Sequence, residues 1–188
     1  AALFRIPIVV AEQNAVPGLT NRLLAPWVRA AAVTYEHTLS FFGGRGFVTG
    51  NPVRAEFFGA LASVGAPRTS GLRVLILGGS QGAHAINMAM VEAASRLAAT
   101  GLQLAITHQT GERDLDLVRS AYERAGLAAR VEAFIFQIDG EMKQADVVLC
   151  RAGATTLSEL AASATPAILV PLPTATDDHQ RRNADALA

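Results

Sequence analysis

Residues 74–83 read VLILGGSQGA, and this stretch decides the class of fold. Its four aliphatic residues predict a buried strand, and the glycines after them predict a tight turn that leads into a helix. The same order returns at residues 147–160, which read VVLCRAGATTLSEL. Aliphatic runs that alternate with longer helical patterns are typical of βα units over a parallel sheet. We therefore predict an α/β protein with Rossmann-like, doubly wound parallel sheets.

The same patterns continue on both sides of this stretch. Predicted strands lie at residues 6–11, 30–35, 46–48, 72–77, 102–107, 131–136, 146–150 and 167–170. Predicted helices lie at residues 19–28, 83–99, 114–125, 138–144 and 155–163, with a last helix from about residue 178.

The composition narrows the class of protein. Lys plus Arg and Asp plus Glu both number 16, so the net charge favours neither nucleic acid nor an anionic membrane surface, and we expect no nucleic-acid partner. The single Cys150 excludes an internal disulfide and is predicted to be a core residue. The four His residues lack zinc-ligand spacing, and no apolar run reaches the roughly 20 residues that span a bilayer. A soluble cytoplasmic protein is the expectation.

The glycine-rich turn predicts an anion site. Adjacent glycines let the backbone approach a ligand, the helix start presents N–H groups, and Ser80 adds a hydroxyl. The alternative is that the glycines only permit tight packing. The turn lacks Gly-x-Gly-x-x-Gly spacing, and residues 107–111 offer no acidic side chain for a ribose, which excludes an NAD-dependent oxidoreductase. It is not a Walker loop either, so a nucleotide diphosphate remains as the candidate ligand of this turn.

The second turn, at residues 150–160, allows two interpretations. Thr155 and Thr156 can contact a phosphate or cap the helix. Glu159 could accept hydrogen bonds from two vicinal hydroxyls of a ribose, or it could only stabilise the first helical turn. Ligands of open α/β sheets bind at the carboxyl edge of the strands, where both turns are predicted to lie.

Eight motifs follow one another in a recognisable order. They are EQN at 12–14, PGLTN at 17–21, GNPVR at 50–54, GGSQGA at 78–83, HQTG at 108–111, CRAGA at 150–154, SEL at 158–160, and VPLP at 170–173 followed by DDHQ at 177–180 and Asn183. Over nearly the whole chain this series resembles the MurG family, the bacterial N-acetylglucosaminyltransferases that form lipid II in peptidoglycan synthesis.

The resemblance implies a GT-B architecture, with two doubly wound α/β domains that face each other across a cleft. It implies inverting transfer of N-acetylglucosamine from UDP-N-acetylglucosamine to undecaprenyl-diphosphate-linked muramyl-pentapeptide, with no cofactor and no metal at the diphosphate. It also implies a peripheral location on the inner face of the cell membrane, through an N-terminal half that precedes this chain. Residues 1–50 would end the acceptor domain, 51–71 would be the junction and linker, and 72–188 would be the truncated donor domain.

The resemblance also implies the residues that contact the donor. They are Asn14, Arg54, Gly79, Ser80, Gln81, Ile135, Ala154, Thr155, Thr156, Glu159, His179 and Gln180. Ser80 and Thr156 would contact the diphosphate, and Glu159 the ribose. The backbone of Ile135 would contact the uracil, and His179 with Gln180 would contact the sugar hydroxyls.

The chain also departs from the family pattern. The His expected as the catalytic base would precede Ala1, so the base is unknown, and Glu12 either takes part in catalysis or orients its loop. Ala11 replaces a His of the family, and His84 stands where the family has Arg. His108 is expected to end a strand near the site.

We expect the chain to be a fragment, because it starts within a strand and stops within a helix. We expect the fragment to be inactive alone, because the predicted base and most of the acceptor domain would lie outside it. Two alternatives stay open. One is a module that binds a nucleotide sugar without chemistry, and the other is a GT-B UDP-N-acetylglucosamine 2-epimerase.

Overall fold

A computed structural model of the chain describes residues 6–58, 71–78 and 83–188. These residues form two compact units. The first contains residues 6–53, 152–158 and 171–188, and the second contains the described residues of 54–151 together with 159–170.

The first unit is built on a three-stranded parallel sheet in the order β1-β2-β3. The strands are β1 (Val9–Glu12), β2 (Ala30–Val33) and β3 (Gly46–Val48). Helix α1 (Leu19–Leu24) connects β1 to β2. Its small core contains Val28, Val33 and Phe42. The last helix of the chain, His179–Leu187, also belongs to this unit.

The second unit is built on five parallel strands. They are β4 (Leu72–Leu77), β5 (Leu104–Gln109), β6 (Ala128–Glu132), β7 (Val147–Cys150) and β8 (Ala167–Leu169). The helices between them are α2 (His84–Ala99), α3 (Leu115–Ala125), α4 (Ile138–Gln144) and α5 (Ala154–Ser163), and the helix at His179–Leu187 is α6.

The strand order β6-β5-β4-β7-β8 defines a doubly wound sheet. The chain runs outward from β4 to β6 and then returns to the other side of β4, so the order reverses between β4 and β7. Ligands of doubly wound sheets bind outside the carboxyl ends of the strands at this reversal. The core beneath it contains Ile76, Ile106, Val118 and Tyr122, all nearly inaccessible to solvent. The prediction of an α/β fold with parallel, doubly wound strands is confirmed.

Three strands lie elsewhere than predicted, and the first is β1, which spans Val9–Glu12 rather than 6–11. β5 begins at Leu104 rather than 102, and β6 spans Ala128–Glu132 rather than 131–136. Gly126, at φ 70°, ends α3 in the left-handed conformation and turns the chain at once into β6. Pairing of Ala128 with Ala105 then sets the register. The aliphatic pattern alone favoured residues 131–136, of which the structure leaves 133–136 outside the sheet.

The predicted helix at 19–28 is shorter than expected. α1 ends at Leu24, and Ala25–Trp27 form a 3₁₀ turn. Pro26 has no backbone N–H to continue an α-helical ladder, which accounts for the change. Cys150, by contrast, is fully buried as predicted, and burial raises the pKa of its thiol to about 12.

Within the described residues, no helix is long and apolar enough to cross a membrane. Contacts group residues 171–188 with the first unit, whereas the predicted division counted them in the donor domain. The predicted division into an acceptor domain and a donor domain concerns which ligand each part of a longer protein binds, and it stays a prediction.

Candidate functional site

Glu159 and Arg54 form one of the charged pairs of the second unit. Glu159 lies in the second turn of α5, and its Oε1 is 4.0 Å from Nη2 of Arg54. The Glu159 side chain is 17% exposed, whereas that of Arg54 is 57% exposed. Burial raises the pKa of Glu159, and the charge of Arg54 partly offsets the increase. The structure thus pairs two residues that the sequence analysis assigned separately to a donor site.

The guanidinium of Arg54 has a second contact that holds it in place. Its carbon atom lies 4.9 Å from the ring centroid of Phe57, a geometry that suits a cation–π interaction. Phe57 is completely buried, in a 3₁₀ turn that packs against α4. Both contacts of Arg54 are made by its guanidinium, and more than half of the side chain remains open to solvent.

The first turn of α5 contains the other predicted residues of the second motif. α5 begins at Ala154, so Thr155 and Thr156 lie inside the first turn and not before it. Thr155 is exposed, and Ala154 and Thr156 are half-buried. The backbone N–H groups of a first helical turn have no partner within the helix, so this turn offers donors to an anion.

Ile135 lies in the loop after β6 and is buried. Its backbone N–H donates a hydrogen bond to Oε1 of Gln109, at 2.9 Å. A uracil that bound through this N–H would have to replace the bond to Gln109. Phe134 and Phe136, on either side, stack edge to face with centroids 5.0 Å apart. The role of Ile135 stays a prediction, as do the roles of Gly79, Ser80 and Gln81, which lie outside the described residues.

Glu12 organises the loop that contains Asn14 in the first unit. One carboxylate oxygen accepts hydrogen bonds from the backbone N–H and the side-chain amide of Asn14, at 3.0 and 3.3 Å. The other accepts from the N–H of Gly18 at 3.0 Å and from Nδ2 of Asn21 at 2.8 Å. These four bonds occupy a carboxylate that is almost fully buried. These bonds explain Glu12 as a residue that orients its loop. Among the described residues, no contact of its carboxylate indicates a catalytic role.

A cavity of about 300 Å³ opens beside this loop, within the first unit. It is lined by residues 11–14 and 18–21. Gln13, Asn14, Thr20 and Asn21 contribute amide and hydroxyl groups to the lining, Ala11 and Leu19 contribute apolar surface, and none of the lining residues is cationic.

Asn183, on α6, holds Asn14 in place. Its Nδ2 donates to Oδ1 of Asn14 at 3.0 Å and to the carbonyl of Ala152 at 3.3 Å. Its Oδ1 accepts from the backbone N–H of Ala15 at 2.8 Å. Asn183 is completely buried. Asn183 closes the ordered series of motifs but was not predicted to lie in the site. An amide inside a helical pattern gives no indication of a distant partner.

His179 and Gln180 form the start of α6. Nδ1 of His179 donates to the carbonyl of Thr176 at 2.8 Å, and Oε1 of Gln180 accepts from the backbone N–H of Leu172 at 2.9 Å. Both residues are thus oriented by nearby backbone groups. In the first unit the structure therefore brings the loop of Asn14 and the helix of His179 and Gln180 together through Asn183. Their contacts with a sugar stay predictions.

The doubly wound parallel sheet places the second unit among the α/β folds whose ligands bind outside the carboxyl ends of the strands. Residues 73–188 match the glycosyltransferase family 28 C-terminal domain, and the chain belongs to that family. A relative from Pelobacter propionicus is 46% identical over 97% of this chain and 54% of its own length. It is named UDP-N-acetylglucosamine--N-acetylmuramyl-(pentapeptide) pyrophosphoryl-undecaprenol N-acetylglucosamine transferase.

A second relative and a solved structure indicate the same family. A protein of the same name from Syntrophotalea carbinolica is 48% identical over 100% of this chain and 52% of its own length. The crystal structure of Acinetobacter baumannii MurG is similar with a TM-score of 0.81 and 34% identity, over 97% of this chain and 51% of that one. The predicted resemblance to MurG and the GT-B fold are thus confirmed. The chain spans about half the length of the curated relatives it matches.

Proposed function

We propose that this chain forms the donor-binding part of an inverting N-acetylglucosaminyltransferase. The protein would transfer N-acetylglucosamine from UDP-N-acetylglucosamine to a muramyl-pentapeptide that is linked to undecaprenyl diphosphate. The observation that carries the proposal is the 46% identity over 97% of the chain to a relative with that named activity. The predicted 2-epimerase has no comparable support among the relatives.

The pair of Glu159 and Arg54 supports donor binding by its chemistry. A half-buried carboxylate with an exposed edge can accept hydrogen bonds from the two vicinal hydroxyls of a ribose. The guanidinium 4.0 Å away offers a cation to the diphosphate of the same nucleotide. The carboxylate and the guanidinium thus offer binding partners to the ribose and to the diphosphate of one nucleotide.

The reaction itself is a single displacement. The oxygen of the acceptor hydroxyl bonds to the anomeric carbon and gives its proton to a base outside this chain or to solvent. The bond to the diphosphate breaks at the same time, and its electron pair stays on the diphosphate oxygen. The guanidinium of Arg54 can stabilise that negative charge. We therefore propose that donor binding needs no divalent metal, and EDTA should change the affinity less than twofold.

The acceptor in the names of the relatives is a polyprenol, which resides in a membrane. We propose that the protein works as a peripheral enzyme on the cytoplasmic face of the membrane, where sugar nucleotides are available. Binding of the acceptor and contact with the membrane would involve the half of the relatives that this chain does not match.

Calorimetric titration of this chain tests the donor assignment. We expect saturable binding of UDP-N-acetylglucosamine, weaker binding of UDP-glucose and none of NAD. Glu159→Gln removes a charged acceptor of two hydrogen bonds and should weaken binding by about tenfold or more. Glu123→Gln, an exposed carboxylate on α3, is the matched control and should have no effect. Equal affinity for NAD, or an unchanged affinity in Glu159→Gln, would contradict the assignment.

A chimera tests the chemistry. This chain would replace the matching half of the relative from Geobacter metallireducens, to which it is 46% identical. We expect the chimera to transfer N-acetylglucosamine to the lipid-linked acceptor and to lose that activity with Glu159→Gln. Donor binding without transfer would instead identify a binding module, and release of the 2-epimer of the sugar would identify an epimerase.

A further inference from the structure

The second unit contains a buried polar cluster around Asp114, the residue before α3. Its carboxylate accepts a hydrogen bond from Nδ1 of His84 at 3.0 Å and another from Nδ2 of Asn87 at 2.8 Å. Nε of Arg113 is a third donor, at 3.1 Å. Burial by itself would raise the pKa of Asp114, but these hydrogen bonds and the charge of Arg113 lower it to about 2. Asp114 is therefore an ionised acceptor at neutral pH.

The partners of Asn87 determine which way its amide points. Nδ2 lies 2.9 Å from the carbonyl of Thr110 as well as 2.8 Å from Asp114, and both can only accept. Oδ1 of Asn87 then faces Nε2 of His108 at 3.0 Å, so that nitrogen carries a proton. Burial lowers the pKa of His108 to about 4, so its ring is neutral and its Nδ1 accepts from the hydroxyl of Tyr122.

This network has two consequences. His108 is the next-to-last residue of β5, close to the strand end as predicted, and it is a completely buried core residue with both ring nitrogens hydrogen-bonded. The chain of bonds from Tyr122 to Asp114 also leaves the carboxylate little freedom to move. Asp114 is therefore a fixed acceptor against which an exposed side chain can be oriented.

That exposed side chain is His84. Its side chain is 56% exposed, whereas that of Asp114 is 8% exposed. Because the ionised carboxylate only accepts, Nδ1 of His84 carries a proton, and Nε2 is the ring nitrogen directed away from Asp114. A carboxylate that fixes the tautomer and orientation of an imidazole is how proteins prepare a histidine for a ligand or a reaction.

The position of His84 indicates the ligand. His84 is the first residue of α2, which follows β4, and Asp114 follows β5, the neighbouring strand. Both therefore lie at the carboxyl edge of the sheet, where doubly wound proteins bind their nucleotides. The charges of Asp114 and Arg113 cancel, so protonation of His84 would give the cluster one positive charge. Such a cluster suits an anion.

We propose that His84, oriented by Asp114, binds the diphosphate of the nucleotide sugar through Nε2 and takes up a proton from solvent as it does so. The inference rests on the proposed donor function and adds a residue to that site. Histidine is the side chain whose charge changes most readily near neutral pH, and the charged groups that contact its cluster are Asp114 and Arg113. A fixed Arg at this position would bind without proton uptake.

Calorimetry in two buffers of different ionisation enthalpy measures that uptake. The diphosphate of UDP-N-acetylglucosamine is esterified at both ends, so the ligand itself does not titrate near neutral pH. We expect proton uptake by the unmodified chain at pH 7. His84→Gln should abolish the uptake and weaken binding by about tenfold to hundredfold, the loss typical of a hydrogen bond to a charged group.

Two variants separate this role from a structural one. His84→Arg keeps a cation, so it should bind within about threefold of the unmodified chain but without proton uptake. His37→Gln removes a histidine of the first unit and should leave the uptake intact. Uptake that persists in His84→Gln would overturn the role of His84 while leaving the donor assignment in place.

A second probe keeps the two proposals distinct. If UDP-N-acetylglucosamine does not bind at all, the proposed function fails, and inorganic pyrophosphate then tests His84 alone. Nitrogen-15 NMR should show the Nε2 resonance of His84 shifting with pyrophosphate, while that of His108 stays constant. An unmoved Nε2 resonance would overturn the proposal.

Discussion

The side-chain amide of Asn183 donates a hydrogen bond to Oδ1 of Asn14, 3.0 Å away, across 169 positions of sequence. The same amide group bonds the carbonyl of Ala152, and its oxygen accepts from the N–H of Ala15. One buried side chain thus joins α6, the loop after β1 and the segment after β7. Asn183 and Glu12 together orient the side chain of Asn14 in the first unit, the first through its oxygen and the second through its NH₂ group.

Replacing Asn183 by Asp tests that dependence. The variant has nearly the same shape, but it turns an oxygen toward the side-chain oxygen of Asn14 and the carbonyl of Ala152. Because a buried acceptor loses its donor at each contact, we expect the free energy of unfolding to fall by about 3 kcal/mol. Urea denaturation measures the change. Gln103→Glu, at an exposed position, is the control, and an equal change in both variants would argue against the network.

Glu12→Gln distinguishes a structural carboxylate from a catalytic one. All four hydrogen bonds to Glu12 come from donors, so either orientation of a glutamine amide would place its NH₂ group against two of them. We expect a loss of about 1–3 kcal/mol in the free energy of unfolding. Glu36→Gln, an exposed residue of the same unit, should change stability by less than about 0.5 kcal/mol. Full stability in Glu12→Gln would return Glu12 to the candidates for catalysis.

Arg54→Ala should raise the pKa of Glu159 further. Burial already raises that pKa, and Arg54 is the group that lowers it. In the proposed donor site the ribose hydroxyls bind the ionised carboxylate, so as the pH falls the variant should lose donor binding at a higher pH than the unmodified chain does. Carbon-13 NMR of the carboxyl group follows the titration directly. Arg96→Ala, on the exposed side of α2, is the control, and a similar shift in that variant would rule out the pairing with Arg54.

His108 should make stability depend on pH in mildly acidic solution. Burial lowers its pKa from 6.5 to about 4, so between these values the unfolded chain binds a proton that the folded chain does not. Stability therefore falls as the pH decreases through this window, by about 3 kcal/mol in total. Denaturation with urea at pH 7, 5.5 and 4 measures the slope. In His108→Gln the contribution of this window should disappear; a slope that stays the same would show that other groups cause it.

Much of the second unit follows from local pattern. The strand at Leu72–Leu77 and the helix at Ile138–Gln144 lie where the sequence analysis predicted them, because each has a distinct hydrophobic period and clear boundaries. β6 does not, since its residues are mostly small and its register comes from pairing with β5. A local pattern contains no information about which residues a neighbouring strand will pair.

The sequence by itself determined the parallel α/β class, the family resemblance and the candidate donor residues, because these depend on periodicity and on ordered motifs. Only the tertiary structure decided that Glu159 pairs with Arg54, that Asn183 holds Asn14, and that His84 is oriented by Asp114. Each of these contacts joins residues at least 30 positions apart. Burial turns such a polar pair into a firm constraint, because in the interior an unpaired polar group has no water to replace its partner.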